Sequence, residues 1–270
     1  MRIPSLQKWM KYGSHAVLAT SLGACGTSIA AETPSPETST ETASVVLVHG
    51  AFADGSAWNK VIPILQEAGV EVAAAQLPLS SLADDAAAAT RLIDLQASPV
   101  VLVGHSWGGA VITEAGAHEN VEALVYVAAF APDADQPVGG LLEGLPPAPW
   151  QEELIPDAGG NLRLSANAMS TYFAPDLPAS ETAVMAATQG PINAETFEQA
   201  PTTAAWRDKP THYVISDDDK IIPTPLQVSM AETISAETTT LLASHVPMLS
   251  KPEEVAQIIL DVVAEVSAGD

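Results

Sequence analysis

The chain has 270 residues, 47% of them hydrophobic and 16% charged, which is enough for one globular domain with a sizeable core. No apolar run reaches the roughly 18 residues of a membrane span, and no period of about 20 to 50 residues recurs, so membrane bundles and solenoids lose support. Asp and Glu number 33 against 10 Lys and Arg, a formal net charge of −23 that repels a phosphate backbone and argues against nucleic acid as a partner.

Residues 1–30 read as an export signal. Arg2, Lys8 and Lys11 stand without any acid ahead of a short apolar stretch at 16–24, the layout of a signal peptide. Two processing routes are open: Leu22-Gly23-Ala24-Cys25 resembles a bacterial lipobox whose cysteine is acylated, and Ser28-Ile29-Ala30 offers small residues to a general signal peptidase. Cys25 is the single cysteine, so an internal disulfide is impossible. Removing residues 1–24 leaves 7 basic residues against 33 acidic ones, a net charge of −26. The expected location is periplasmic or extracellular, with membrane contact only through a lipid on Cys25. Residues 31–43 are rich in Pro, Ser, Thr and Glu and read as a solvated tether, which leaves residues 44–270 as the folded domain.

From Ser44 the pattern changes. Val45 to Val48 is a continuous apolar run, as expected of a strand buried on both faces of a parallel sheet. Similar runs at Val70–Ala75, Val100–Val103, Val121–Ala128, Thr211–Ser216 and Thr238–Leu242 predict five more strands. Helical spacing appears at Trp58–Ala68, Leu82–Leu95 (with Asp84 and Asp85 in its first turn) and Pro252–Val266. Strands alternating with helices predict an α/β fold with a doubly wound, mostly parallel sheet. Between Pro132 and Lys209 the rhythm stops, prolines accumulate and no strand-like run occurs. This stretch is expected to be a cap over the carboxyl edge of the sheet, made of irregular pieces and short helices.

The most specific motif is Gly104-His105-Ser106-Trp107-Gly108, because it follows a buried strand directly and opens a helix. That is the context of a nucleophile elbow, in which a serine on a strained turn projects above the sheet near free helix N–H groups. A serine hydroxyl needs a base to take its proton. Of six histidines, His15 lies in the export segment, His49 and His105 sit within motifs, His118 closes a helix and His212 opens a strand. His245 follows the last predicted strand in a loop that can reach Ser106. The carboxylate that orients it is expected in Asp217-Asp218-Asp219, after the fifth strand, with Asp133 and Asp135 as further candidates. The order Ser, Asp, His is that of α/β-hydrolases. The turn after the first strand, His49-Gly50-Ala51, supplies a second oxyanion donor: the backbone N–H of Ala51 joins that of Trp107, while His49 bonds local backbone.

These blocks, together with Val125–Asp133, Asp218–Pro223 and His245–Pro252, resemble the α/β-hydrolase branch that holds plant methyl esterases, hydroxynitrile lyases and bacterial esterase-like proteins. The resemblance spans residues 44–266 and is loose in the cap. It implies no metal and no organic cofactor, and it places the triad acid on Asp219, which precedes Lys-x-x-Pro. Lyases of this branch carry Thr where this chain has Gly50 and Lys where it has Val246, so ester hydrolysis is favoured over cyanohydrin cleavage. The expected activity is hydrolysis of a small, mostly apolar carboxylic ester through an acyl-enzyme. Lyase, lactonase or amidase chemistry with the same triad, or a non-catalytic ligand-binding homologue, are the alternatives.

Overall fold

The structure is a computed structural model that describes residues 42–269. The export segment, Cys25 and nearly all of the tether lie outside the described residues.

Strand β1 (Ser44–Val48) is followed by a 3₁₀ turn at Gly55–Trp58, helix α1 (Val61–Glu67) and strand β2 (Val72–Ala74). The helix expected over Trp58–Ala68 is thus split. Asp54 accepts a hydrogen bond from the Ser56 amide at 2.7 Å and caps the tight turn, and the α-helix begins only at Val61. Helix α2 (Leu82–Ile93) is capped by Ser81, whose side chain accepts from the Asp84 amide. Strand β3 (Val100–His105), helix α3 (Gly108–Ala115) and strand β4 (Val121–Val127) complete the first half.

Residues 128–210 separate β4 from the next sheet strand. They hold α4 (Val138–Leu141), β5 (Leu154–Pro156), β6 (Asn161–Leu164), α5 (Ala166–Ala168), a π turn at Met169–Phe173, α6 (Ala179–Thr188) and β7 (Ile192–Asn193). The three strands make a small antiparallel sheet in the order β5-β6-β7, which corrects the expectation of a stretch without strands. They run for only two to four residues, too few for an alternating pattern to register. Their hairpin is set instead by the turn at Asp157, whose carboxylate accepts from the Gly159 and Asn161 amides.

The chain then re-enters the main sheet with β8 (Thr211–Ser216), α7 (Thr224–Thr233) and β9 (Glu237–Leu241), and ends in α8 (Pro247–Ser250) and α9 (Pro252–Ala268). The main sheet has the order β2-β1-β3-β4-β8-β9, and each neighbouring pair is parallel. Every residue of β1, β3 and β8 is buried, which is why β1 and β3 read as near-continuous apolar runs rather than as alternation. α1 packs against α9, and α2 against α3. All the strands therefore end at one edge, and the loops that leave β1, β3, β8 and β9 meet there.

Candidate active site

Ser106 is the turn between β3 and α3, held at φ +54° in the left-handed region that side chains rarely adopt. Glycine makes the turn possible. A Cβ on Gly104 would lie 2.5 Å from the Gly108 carbonyl oxygen, and one on Gly108 would lie 2.7 Å from that of Val48.

The loop after β9 brings His245, fully buried, to this serine. Its Nε2 lies 2.8 Å from Ser106 Oγ, and its Nδ1 lies 2.7 Å from Asp219 Oδ2. A carboxylate only accepts, so Nδ1 carries the proton, and Nε2 is free to accept from the serine hydroxyl. Asp219 is buried and engages four donors: Oδ1 accepts from the Ile221 and Ile222 amides, and Oδ2 from His245 and from Gln227 Nε2 at 2.8 Å. Asp217 and Asp218 are exposed. Asp133 is held by Arg207, and neither it nor Asp135 contacts His245.

Ala51 and Trp107 both line the cavity beside Ser106. Among the described residues neither amide N–H donates to a protein acceptor, and that of Trp107 lies at the N-terminus of α3, where helix N–H groups are unpaired. His49 sits apart as a structural residue. Its Nε2 accepts from the Leu77 amide at 3.0 Å and its Nδ1 donates to the Gly50 carbonyl at 2.8 Å, while burial pulls its pKa down and keeps it neutral.

Three contributors were not readable from sequence. Gln227, on α7, is fully buried; it donates to Asp219 and to the Ile222 carbonyl and accepts from the Ser216 amide at 3.0 Å. Its distance from Asp219 follows from how α7 packs on β8, for which a single glutamine gives no signal. His105 donates from Nε2 to the His245 carbonyl at 2.7 Å, and its ring lies 4.8 Å from that of His245. Burial holds its pKa well below the usual imidazole value, so it stays neutral. Asp176, in the insertion, accepts from both the amide and the hydroxyl of Ser244, at 2.9 and 2.5 Å, and so fixes the residue before His245.

Above Ser106 opens a cavity of about 720 Å³. Its walls are mostly apolar: Phe52 and Phe130 from the sheet side, and Leu142, Trp150, Phe173 and Phe197 from the insertion. Phe173 also stands edge-on to the His245 ring at 4.9 Å. The described residues contain one cluster with metal-ligand chemistry, His212, Glu237 and Glu265, at the amino edge of the sheet and away from this cavity.

A parallel sheet with a serine elbow, a buried His–Asp pair at the same edge and an apolar cavity above it defines a protein of the α/β-hydrolase class. The model of the Alpha/beta hydrolase family matches residues 45–258, and the chain belongs to that family. It is similar to a pyrethroid hydrolase of Sphingobium wenxiniae, 27% identical over 246 residues that cover 80% of this chain and 86% of that protein. It is also similar to methylesterase 1 of Arabidopsis thaliana, 24% identical over 254 residues covering 80% and 94%. The solved structure of a pyrethroid hydrolase from Sphingobium faniae JZ-2 superposes with a TM-score of 0.69 over 82% of this chain and 97% of that one; at 22% identity the likeness is one of fold. These relatives place the chain in the esterase branch of the family.

Proposed function

We propose that the protein is a serine esterase that cleaves apolar carboxylic esters by way of an acyl-enzyme. The observation that carries this reading is the unbroken chain from Ser106 Oγ to His245 Nε2 at 2.8 Å and from His245 Nδ1 to Asp219 Oδ2 at 2.7 Å, at the floor of a mostly apolar cavity. Ser106 attacks the ester carbonyl as His245 takes its proton, and the Ala51 and Trp107 amides hold the oxyanion. His245 then returns the proton to the leaving alcohol, and a water activated by the same histidine releases the acid.

The cavity volume falls in the range of drug-sized sites, so the reading extends from small esters to ones with a bulky apolar group. A Cβ at Gly50 would lie 2.6 Å from Ser106 Cβ, leaving no room for the hydroxylated side chain that the lyases of this branch carry there, which supports hydrolysis over cyanohydrin cleavage.

Hydrolysis of p-nitrophenyl esters of graded acyl length, with an amide, a lactone and a cyanohydrin in parallel, tests the reading. Turnover of esters alone, lost in Ser106→Ala together with labelling by an organophosphonate, is the expected result. An alanine variant that keeps most of its turnover excludes the serine mechanism. We further propose that the protein is exported and anchored through Cys25. A detergent-phase protein that becomes soluble in Cys25→Ser supports this, and an unmodified N-terminus at Ala31 selects the freely secreted form instead.

A further inference from the structure

Among the described residues, the esterase mechanism leaves one buried acid unused. Asp85, in the first turn of α2, has no exposed surface, and its carboxylate bridges two segments: Oδ1 accepts from the Leu79 amide at 2.7 Å and Oδ2 from Trp107 Nε1 at 2.8 Å. Trp107 is the residue after the nucleophile. We propose that Asp85 is a positioning residue for the oxyanion hole, holding the Trp107 indole and through it the backbone N–H that Trp107 presents beside Ser106; the inference rests on the esterase reading.

The bridge is anchored at both ends. Leu79 stands at φ +57°, and its carbonyl accepts from the Asn193 amide at 2.9 Å, so the segment before α2 is tied to the insertion as well as to Asp85. The indole of Trp107 is fully buried and meets Phe197 edge-on at 5.6 Å. With its nitrogen bonded and its ring packed, the side chain has one orientation, and the peptide that carries its N–H is fixed with it.

Packing does not require this arrangement. Trp58 is equally buried, and its indole N–H has no hydrogen-bond partner, so the fold tolerates an unpaired indole elsewhere. Trp107 is instead given an ionisable partner, and a bond to a charged acceptor is shorter and stronger than one between neutral groups. No cation faces Asp85 among the groups that bear on it: α3 presents the uncharged indole, the approach to α2 presents an amide, and α2 itself adds the like charge of Asp84. Burial accordingly raises its pKa to about 6. The residue costs stability in its charged form, and its contacts lead to the oxyanion site.

The test compares Asp85→Asn, Trp107→Phe and the double variant in the full chain, reading kcat, KM, the pH profile of kcat and the affinity for a trifluoromethyl ketone that mimics the tetrahedral intermediate. Deleting an oxyanion donor costs about 100-fold or more, and displacing one costs less, so kcat is expected to fall about 10-fold in each single variant with KM within about twofold. Binding of the ketone weakens by the same factor, the double variant loses no more than either single one, and the part of the acid limb due to Asp85 disappears from the profile. Should Asp85→Asn fail to fold, Trp107→Phe carries the test, since it keeps the ring packing and the Asp85–Leu79 bond. An active wild type whose variants keep kcat and ketone affinity within twofold overturns this inference alone. A wild type without turnover on any ester removes the hydrolase reading and this inference with it.

Discussion

Replacing Asp219 by Asn tests the identity of the triad acid, and the four hydrogen bonds at its carboxylate determine what the replacement does. Oδ1 accepts from two backbone amides, at 2.7 and 3.0 Å, that an Asn NH₂ group cannot face, so the amide oxygen takes that place and Nδ2 takes the place of Oδ2. His245 Nδ1 must then accept rather than donate. Its proton moves to Nε2 and points at Ser106 Oγ, which leaves the serine without a base. In a well-studied serine protease the same wrong tautomer lowers kcat by about 10⁴-fold, or roughly 5.4 kcal/mol of transition-state stabilisation. Asp217 and Asp218 are exposed, and their Asn variants are expected to stay within about twofold. Steady-state kinetics on one ester, at matched thermal stability, compare the three. An Asp219→Asn variant within tenfold of wild type, or a larger loss at either neighbour, refutes the assignment.

Gln227→Leu strips Asp219 of one donor and leaves the Ser216 amide and the Ile222 carbonyl unpaired in a buried site. At about 1–3 kcal/mol for each of the two unsatisfied groups, a loss of about 2–6 kcal/mol in urea unfolding is expected, with a roughly tenfold lower kcat; unchanged values in both would remove Gln227 from the site. Asp85 predicts a pH dependence of stability. Its pKa is raised by folding from 3.8 to about 6, so the native state keeps a proton that the unfolded chain releases between those values. That contribution is full below about pH 3.8 and is lost as pH rises towards 6, a change of roughly 3 kcal/mol. The stability of wild type minus that of Asp85→Asn is therefore expected to fall by about this amount from pH 4 to 7, and a constant difference contradicts it.

The inner strands of the sheet were legible because both their faces are covered. The runs at Val45–Val48 and Val121–Ala128 carry their burial in their composition, and Thr211–Ser216 was placed to the residue. The elbow and the His245 loop were legible for a related reason, since a motif on a strand end fixes both position and chemistry. What escaped was whatever depends on packing between distant segments. Asp85 reads as a first-turn acid complementing the helix dipole, a role that fits its exposed neighbour Asp84, and only the approach of α3 turns Asp85 inward. The strands β5 to β7 escaped because they are shorter than any sequence period.

The two halves of the reaction rest on different parts of the fold. Ser106 keeps its positive φ because β3 is paired on both sides, with β1 and β4, and because α3 packs against α2. A turn so over-determined can store strain without relaxing. His245 has a different support. Its ring is buttressed by Phe173 and its loop is tied through Ser244 to Asp176, both from the insertion, and His105 links its backbone to the elbow. On the proposed mechanism, the insertion that shapes the cavity therefore also positions the base. In that mechanism, a change that loosens the Asp176–Ser244 tie acts on proton transfer, and one that moves Phe197 or Asn193 reaches the oxyanion side through Trp107 and Leu79, so pocket shape and turnover rate are mechanically coupled on both sides of the site.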